Sequence, residues 1–184
     1  MYTDSSRGLN FAKDPAVVRF HNQYYMYYTL NPGKAMPQNV WGIGIARSTD
    51  LENWEKIADI DPEGELEAPG ICAPGAFVHE GKVHLFYQTY GRFEKDAICH
   101  AWSEDGIHFT RNTTNPILRA EGGWNNGRAI DADVCVFRGE LFLYFATRDP
   151  KGKIQMQGVS KCPLDGEFRR DSWKQCCEDA ILRR

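Results

Sequence analysis

The sequence predicts an all-β fold, a β-propeller of which about three four-stranded blades are present. Three observations lead there. A hairpin pattern recurs three times at a spacing of about 58 residues, opening at Asp14, Ala73 and Asp131. A strand-turn-strand half-repeat follows each hairpin, and no stretch carries the 3.6-residue apolar period of a long amphipathic helix.

In the first copy, Asp14-Pro15-Ala16-Val17-Val18-Arg19-Phe20 is an apolar run, His21-Asn22 a two-residue turn, and Gln23-Tyr24-Tyr25-Met26-Tyr27-Tyr28 an aromatic run. The second copy places Ala73, Pro74 and Phe77 before the turn Glu80-Gly81 and Leu85 to Tyr87 after it. The third places Asp131, Val134 and Phe137 before Arg138-Gly139 and Leu143 to Phe145 after it. Asn or Gly in each turn supplies the positive φ that a tight hairpin needs. The runs are apolar at most positions rather than alternating, as expected for strands covered on both faces. Stacked blades of a propeller meet that condition.

The half-repeat runs from Ile45-Ala46-Arg47-Ser48-Thr49-Asp50 to Trp54, again from His100-Ala101-Trp102-Ser103-Glu104-Asp105 to Phe109, and more weakly from Val159-Ser160-Lys161 to Gly166-Glu167-Phe168. Each describes a strand ending at Ser, a polar turn and an outer strand opening on an aromatic. The blades are expected at roughly 11–60, 71–118 and 129–173, within one partial propeller domain spanning 1–184. The period places a fourth copy near residue 189, and propellers close with about four to eight blades. Three blades leave the ring incomplete. The chain is therefore expected to be a fragment of a longer ring, or to self-associate over its open blade faces.

Composition narrows the partners. A net charge of −3 with 26% charged residues offers no basic footprint for nucleic acid or an anionic membrane. No apolar stretch approaches the ~20 residues that span a bilayer. The segment Met1-Tyr2-Thr3-Asp4-Ser5-Ser6-Arg7 lacks the apolar run of a secretory signal, so the protein is cytoplasmic if Met1 is its native start, and secreted or periplasmic if a signal has been removed. Cys72, Cys99, Cys135, Cys162, Cys176 and Cys177 show no CxxC spacing and read as reduced, with Cys135 a small core residue inside Val134-Cys135-Val136-Phe137. His79 and His84 fall on two strands, and His21, His100 and His108 near turns or outer strands, so no zinc-like cluster and no metal is expected. The sequon Asn112-Thr113-Thr114 marks at most an exposed turn. Gly42-Ile43-Gly44 lacks the third glycine and the following helix of a dinucleotide fingerprint, so no cofactor is expected.

Inner strands of a propeller converge on its axis, so Asp14, Ala73 and Asp131 are expected at one mouth of the central channel. Two carboxylates facing one pocket suit glycosyl transfer, in which one group activates water or attacks the sugar and another protonates the leaving oxygen. The plainer alternative is that each Asp only bonds its local backbone. Asp133, two residues past Asp131, would share its side of an extended strand. Trp41 and Trp124, in loops before strands, are candidates to stack on a sugar ring, whereas Trp54 and Trp102 are expected to pack between blades.

Taken together, Lys13-Asp14-Pro15, Gly42-Ile43-Gly44-Ile45-Ala46, Ser48-Thr49-Asp50-Leu51 with Trp54, Cys72-Ala73-Pro74, Ser103 to Phe109, and Ala129-Ile130-Asp131-Ala132-Asp133-Val134 resemble glycoside hydrolase family 43. Its five-bladed relatives include family 32 and the family 130 phosphorylases. The resemblance runs from about residue 11 to about residue 170. It implies a five-bladed ring, with Asp14 as general base and Asp131 as the residue that orients the system and tunes the acid's pKa. It also implies a general acid Glu at the start of a fourth blade, which no residue of this chain matches; Glu67 lies in the loop entering the second blade, and Glu178 is a weaker candidate. The implied activity is hydrolysis of O-glycosyl bonds in oligo- or polysaccharides, of the arabinofuranosidase or xylosidase sort, with the truncated chain itself inactive. The alternatives are a non-catalytic glycan-binding propeller and a protein-interaction propeller. A sialidase-like reading, prompted by the Asp-box-like turn at Ser103 to Phe109, lacks the arginine cluster it would need.

Overall fold

A computed structural model of the chain describes residues 2–33 and 40–183. Met1, on which the expected localisation turns, lies outside them. The structure is three antiparallel sheets stacked side by side. The first blade consists of β1 (Lys13–Phe20), β2 (Gln23–Leu30), β3 (Gly42–Ser48) and β4 (Glu55–Ile60), paired in that order. A single helical turn, α1 (Gly64–Glu67), leads into the second blade of β5 (Ile71–His79), β6 (Lys82–Thr89), β7 (Ile98–Ser103) and β8 (Thr110–Arg111). The third blade is β9 (Ile130–Phe137), β10 (Glu140–Arg148) and β11 (Gln155–Pro163), with two short strands, β12 (Lys174–Gln175) and β13 (Leu182–Arg183), sharing the outer edge of β11. Among the described residues no helix is long and apolar enough to cross a membrane.

The three hairpins form where the turn residues place them. His21-Asn22, Glu80-Gly81 and Arg138-Gly139 all have positive φ, between 46° and 77°, which matches the right-handed twist of the flanking strands. The polar turns after β3 and β7 share one mechanism. Ser48 Oγ accepts the Leu51 N–H at 2.9 Å, and Asp50 Oδ1 accepts the N–H groups of Glu52 and Asn53 at 2.9 and 2.7 Å. Ser103 and Asp105 repeat this with Gly106, Ile107 and His108. The third copy differs from expectation. Ser160 lies inside β11, which continues to Pro163, and the turn carboxylate is Asp165, which accepts from Glu167 and Phe168. No Ser stands at the strand end there.

Alternation along β6 feeds two cores. Val83, Leu85 and Tyr87 join Tyr27, Ile43, Ile45 and Ile71 between the first and second blades. Phe86 joins Ala132, Leu141, Leu143, Phe145 and Phe168 between the second and third. Buried side chains such as Ile43, Ile45 and Leu85 each contribute roughly 1.5–3 kcal/mol relative to exposure. Tyr27, fully buried, donates its hydroxyl to the Gly106 carbonyl of the next blade at 2.9 Å, so the interface is keyed as well as greasy.

Burial on both faces holds for the central strands of the first and second blades, where Tyr27 and Ile45 face one core and Met26, Tyr28 and Ala46 the other, but not for the third. Among the described residues nothing covers the outer face of the third blade, so Cys135 is exposed rather than a core residue, and Phe137, on the same face, is 56% exposed. His100 is also displaced from its expected setting. It is wholly buried on β7, stacked on His84 with ring centres 5.3 Å apart and covered by Phe168 of the third blade. His84 Nδ1 and His100 Nε2 are 3.1 Å apart, and Asn112 Nδ2 reaches His100 Nδ1 at 3.1 Å and the Glu167 carbonyl at 2.8 Å. The sequon asparagine is thus a half-buried tie between blades rather than an exposed turn residue. Trp54 packs on Met26, Tyr28, Leu30 and Ala46 beside Tyr2, on the first blade's far face and not between blades. Trp102 is half-buried under the Lys82 ammonium, 4.0 Å from the ring centre.

Candidate active site

The inner strands all carry the same irregularity at the same place. Pairing steps from Lys13↔Thr29 to Ala16↔Tyr27 in the first blade, from Cys72↔Gln88 to Gly75↔Phe86 in the second, and from Ile130↔Ala146 to Asp133↔Tyr144 in the third. Each step inserts one extra residue, a β-bulge, and each bulge opens on a non-glycine residue in the left-handed region: Asp14 at φ 53°, Ala73 at 49° and Asp131 at 53°. Aspartate tolerates this conformation through local hydrogen bonding, but alanine has no such relief, so its presence shows that the surrounding fold imposes the geometry. Strain of this kind, about 1–3 kcal/mol per residue, collects at functional sites.

Close packing brings the three bulges together. At Gly75 a Cβ would stand 2.5 Å from the Ala132 carbonyl oxygen, so only glycine lets β5 and β9 approach as they do. Asp14, Pro15, Ala73, Pro74, Asp131 and Ala132 then line one open pocket of about 220 Å³. That is below the roughly 300–1,000 Å³ of a complete small-molecule site, as expected of a partly walled one.

The two carboxylates feel each other. Asp14 is half-buried; its Oδ2 accepts the Thr29 hydroxyl at 3.1 Å and its Oδ1 lies 3.3 Å from Lys13 Nζ. Asp131 is open to solvent on one side, and its N–H donates to Gln88 Oε1 at 2.7 Å. Its carboxyl is held above the ordinary range, first by desolvation and then by the charge of Asp14, with Arg128 and Lys13 opposing. Beneath them the Cys72 thiol is pushed up by burial and by the charges of Asp131 and Asp14. Arg128 contacts the buried Asp96 at 3.5 Å, and Asp96 is itself raised, mainly by desolvation.

Asp133 does not line the pocket; its Oδ1 turns back to the Val134 N–H at 3.0 Å. Glu67 is 3% exposed and fully engaged, accepting the Tyr87 hydroxyl at 2.6 Å, the Glu63 N–H at 2.9 Å and Arg111 at 3.1 Å, so it is a structural carboxylate of the blade junction. Glu178 is exposed between β12 and β13. Among the described residues no glutamate lines the pocket, and no group of three or more His, Cys, Asp or Glu is placed to hold a metal ion.

Trp41 immediately precedes β3 and bridges Gly70 at the entry to β5, on the same end of the blades as Asp14 and Ala73. Its ring meets Phe11 edge-on at 5.6 Å and Tyr90 at 5.4 Å, forming an aromatic row. Phe11 and Tyr90 were not anticipated from sequence, although each stands where a strand of the repeat begins or ends. Trp124 lies in the loop entering β9, whose Asn126 N–H bonds the Arg148 carbonyl at the end of β10. Trp124 is half-buried, with its indole N–H enclosed and unpartnered. Both tryptophans sit at the rim that carries the bulges, and neither lines the acidic pocket itself.

Known structures share this architecture. A family 117 glycoside hydrolase from the marine bacterium Zobellia galactanivorans matches all of this chain at 16% identity with a TM-score of 0.76, and the chain covers 60% of it. The family 32 β-fructofuranosidase of Bombyx mori matches 94% of the chain at 17% identity and a TM-score of 0.72, with 35% of its own length covered. Fructan 1-exohydrolase IIa of Cichorium intybus matches 94% at 17% identity and 0.74, with 32% covered. At such identities these likenesses speak for the propeller fold, of which this chain spans from about a third to three fifths of each relative's length. The family model of glycosyl hydrolases family 43 matches residues 9–168, which take in Asp14, Asp131 and the three hairpins, and the chain belongs to that family.

Proposed function

We propose that the pocket between Asp14 and Asp131 is the catalytic half-site of a glycoside hydrolase that cleaves arabinofuranosyl or xylosyl bonds in oligo- or polysaccharides. The observation that carries this reading is that two of three equivalent strained bulge positions bear carboxylates, both lining one pocket, and that one raises the pKa of the other. Asp14, half-buried and hydrogen-bonded, is the base that takes the proton of the attacking water. Asp131 tunes the acid and orients the sugar. The general acid, a glutamate absent from the pocket, is supplied by a further blade. Trp41 with its aromatic neighbours and Trp124 stack on sugar rings at the rim. An inverting reaction requires the base and acid to stand about 6.5–9.5 Å apart with water between them.

The experiment exploits the missing acid. A glycoside whose leaving group departs as a stable anion, such as a 2,4-dinitrophenyl xyloside or arabinofuranoside, needs no protonation. The chain should hydrolyse it slowly, with turnover lost in Asp14→Ala, while an alkyl glycoside is left intact. Absence of Asp14-dependent turnover, together with oligosaccharide binding at the pocket by NMR, would favour the alternative of a non-catalytic glycan-binding propeller, which the lack of a pocket glutamate supports. Absence of both would sink the reading.

A further inference from the structure

The second strand of each blade carries, seven residues past the hairpin turn, the position that pairs opposite the bulge: Thr29, Gln88 and Ala146. Thr29 and Gln88 are both 2% exposed, polar residues set inside aromatic runs. Each reaches forward to the next blade. Thr29 Oγ1 accepts the N–H of Ala73 at 2.8 Å, and Gln88 Oε1 accepts the N–H of Asp131 at 2.7 Å. Both captured amides belong to the left-handed residue that opens a bulge, where the extra residue has lost its ladder partner. A buried N–H so placed needs an acceptor from elsewhere.

Thr29 does one thing more. One of its lone pairs accepts the Ala73 N–H, and its single hydroxyl hydrogen is directed to Asp14 Oδ2 at 3.1 Å. One oxygen atom therefore ties the Asp14 carboxylate to the second blade, and Gln88 ties the second blade to the backbone from which the Asp131 carboxylate projects. Ala146 lacks any such group, so the device occurs only at the two junctions that flank the pocket.

We propose that Thr29 and Gln88 are positioning residues that set the separation of Asp14 and Asp131 through the middle blade. Neither touches the pocket's contents. The inference rests on reading the two aspartates as the working pair, but its test does not depend on turnover.

The test follows the Asp131 carboxyl by NMR titration of the whole 184-residue chain with labelled aspartate. The charged groups that act on Asp131 are Asp14, which raises it, and Arg128 and Lys13, which lower it. Thr29→Val keeps the side-chain shape but frees the Asp14 carboxylate to swing toward Lys13 and water. The Asp131 midpoint should then fall by roughly half a pH unit, and Thr29→Ser should restore it. Gln88→Met should lower the same midpoint and speed exchange of the Asp131 amide by about tenfold or more. Asp14→Asn separates the two failures. If it lowers the Asp131 midpoint while Thr29→Val and Gln88→Met do not, the pair is coupled but unlatched, and the positioning role is wrong. If Asp14→Asn leaves the midpoint unchanged, the aspartates are not a coupled pair and the reading of the site falls with it. Should Thr29→Val not fold, Gln88→Met decides the latch by the same two readouts.

Discussion

Asp14 and Asp131 hold the same backbone conformation, φ 53° in each, at the first residue of equivalent bulges in the first and third blades. Between them the fold inserts Ala73, with φ 49° and no carboxylate. The geometry is therefore a property of the blade, and the charge is an addition at two positions out of three. Placing like charges on strained backbone around one pocket opposes folding, which makes the cost measurable.

Replacing Asp131 by Asn should stabilise the chain at neutral pH. Its carboxyl is raised by desolvation and by Asp14, so the folded chain holds that proton more tightly than the unfolded chain, whose aspartate titrates near 3.9. The associated stability is fully present below the unfolded value and is lost as pH rises through the folded one. Because Asp131 is solvent-exposed on one side, screening keeps the effect small. Thermal melts should place Asp131→Asn about 1–3 °C above the parent at pH 7 and level with it near pH 3.5. A parent more stable than the variant at pH 7 would contradict the coupling.

Gly75→Ala should destabilise the chain by roughly 1–3 kcal/mol, the range of overpacking in a tight core. The Cβ would meet the Ala132 carbonyl oxygen at 2.5 Å, a backbone atom that can yield only by a shift of the β9 bulge. Gly139→Ala is the control, since a Cβ there meets nothing within 4 Å and only the positive φ of 77° penalises it. Urea melts should show the larger loss at Gly75, with the Asp131 carboxyl signal displaced as β9 is pushed from β5.

The hairpins were legible because their turns are written in Asn and Gly, and the equivalence of Asp14, Ala73 and Asp131 followed from counting along the repeat. The left-handed conformation at those positions was not legible, since the steps Asp14-Pro15, Ala73-Pro74 and Asp131-Ala132 give no common sign of a bulge. The latches carried a signal that could have been used: Thr29 and Gln88 are polar intrusions at one repeat position within Tyr27-Tyr28-Thr29 and Phe86-Tyr87-Gln88. The exposure of Cys135 could not be read from its apolar neighbours, because burial of β9 depends on what lies against it. His100 was misplaced for the converse reason, as its cover, Phe168, comes from a blade distant in sequence.

The His84 and His100 stack should make the fold acid-sensitive. Burial lowers His84 to about 4 and His100 to about 3, so both stay neutral in the folded chain while the unfolded histidines protonate near 6.5. The unfolded state then binds more protons, and stability falls as pH drops from about 6.5 toward 4. Urea midpoints measured at pH 7.5, 6 and 4.5 should decline steadily. The double variant His84→Phe/His100→Phe, which removes both members of the 3.1 Å contact, should flatten that decline even if it lowers stability at pH 7.5. An unchanged slope would show that other groups govern the acid response.

The uncovered face of the third blade should make the isolated chain associate. Phe137 and Tyr144 are 56% and 41% exposed on the same face of adjacent strands, with exposed Cys135 between them, and the equivalent middle-blade strand is covered by neighbours on both sides. Contiguous exposed apolar residues of this size mark an interaction surface. Light scattering should give a molar mass above the 21.0 kDa of one chain, falling toward it on dilution. Phe137→Lys, placed at the end of β9 beside the Arg138-Gly139 turn, should shift the distribution to the monomer without changing the circular dichroism of the sheets. A monomeric parent at high concentration would mean that charge around the face, including Asp133 and Arg138, already suffices to keep it in water, and the variant would then change nothing.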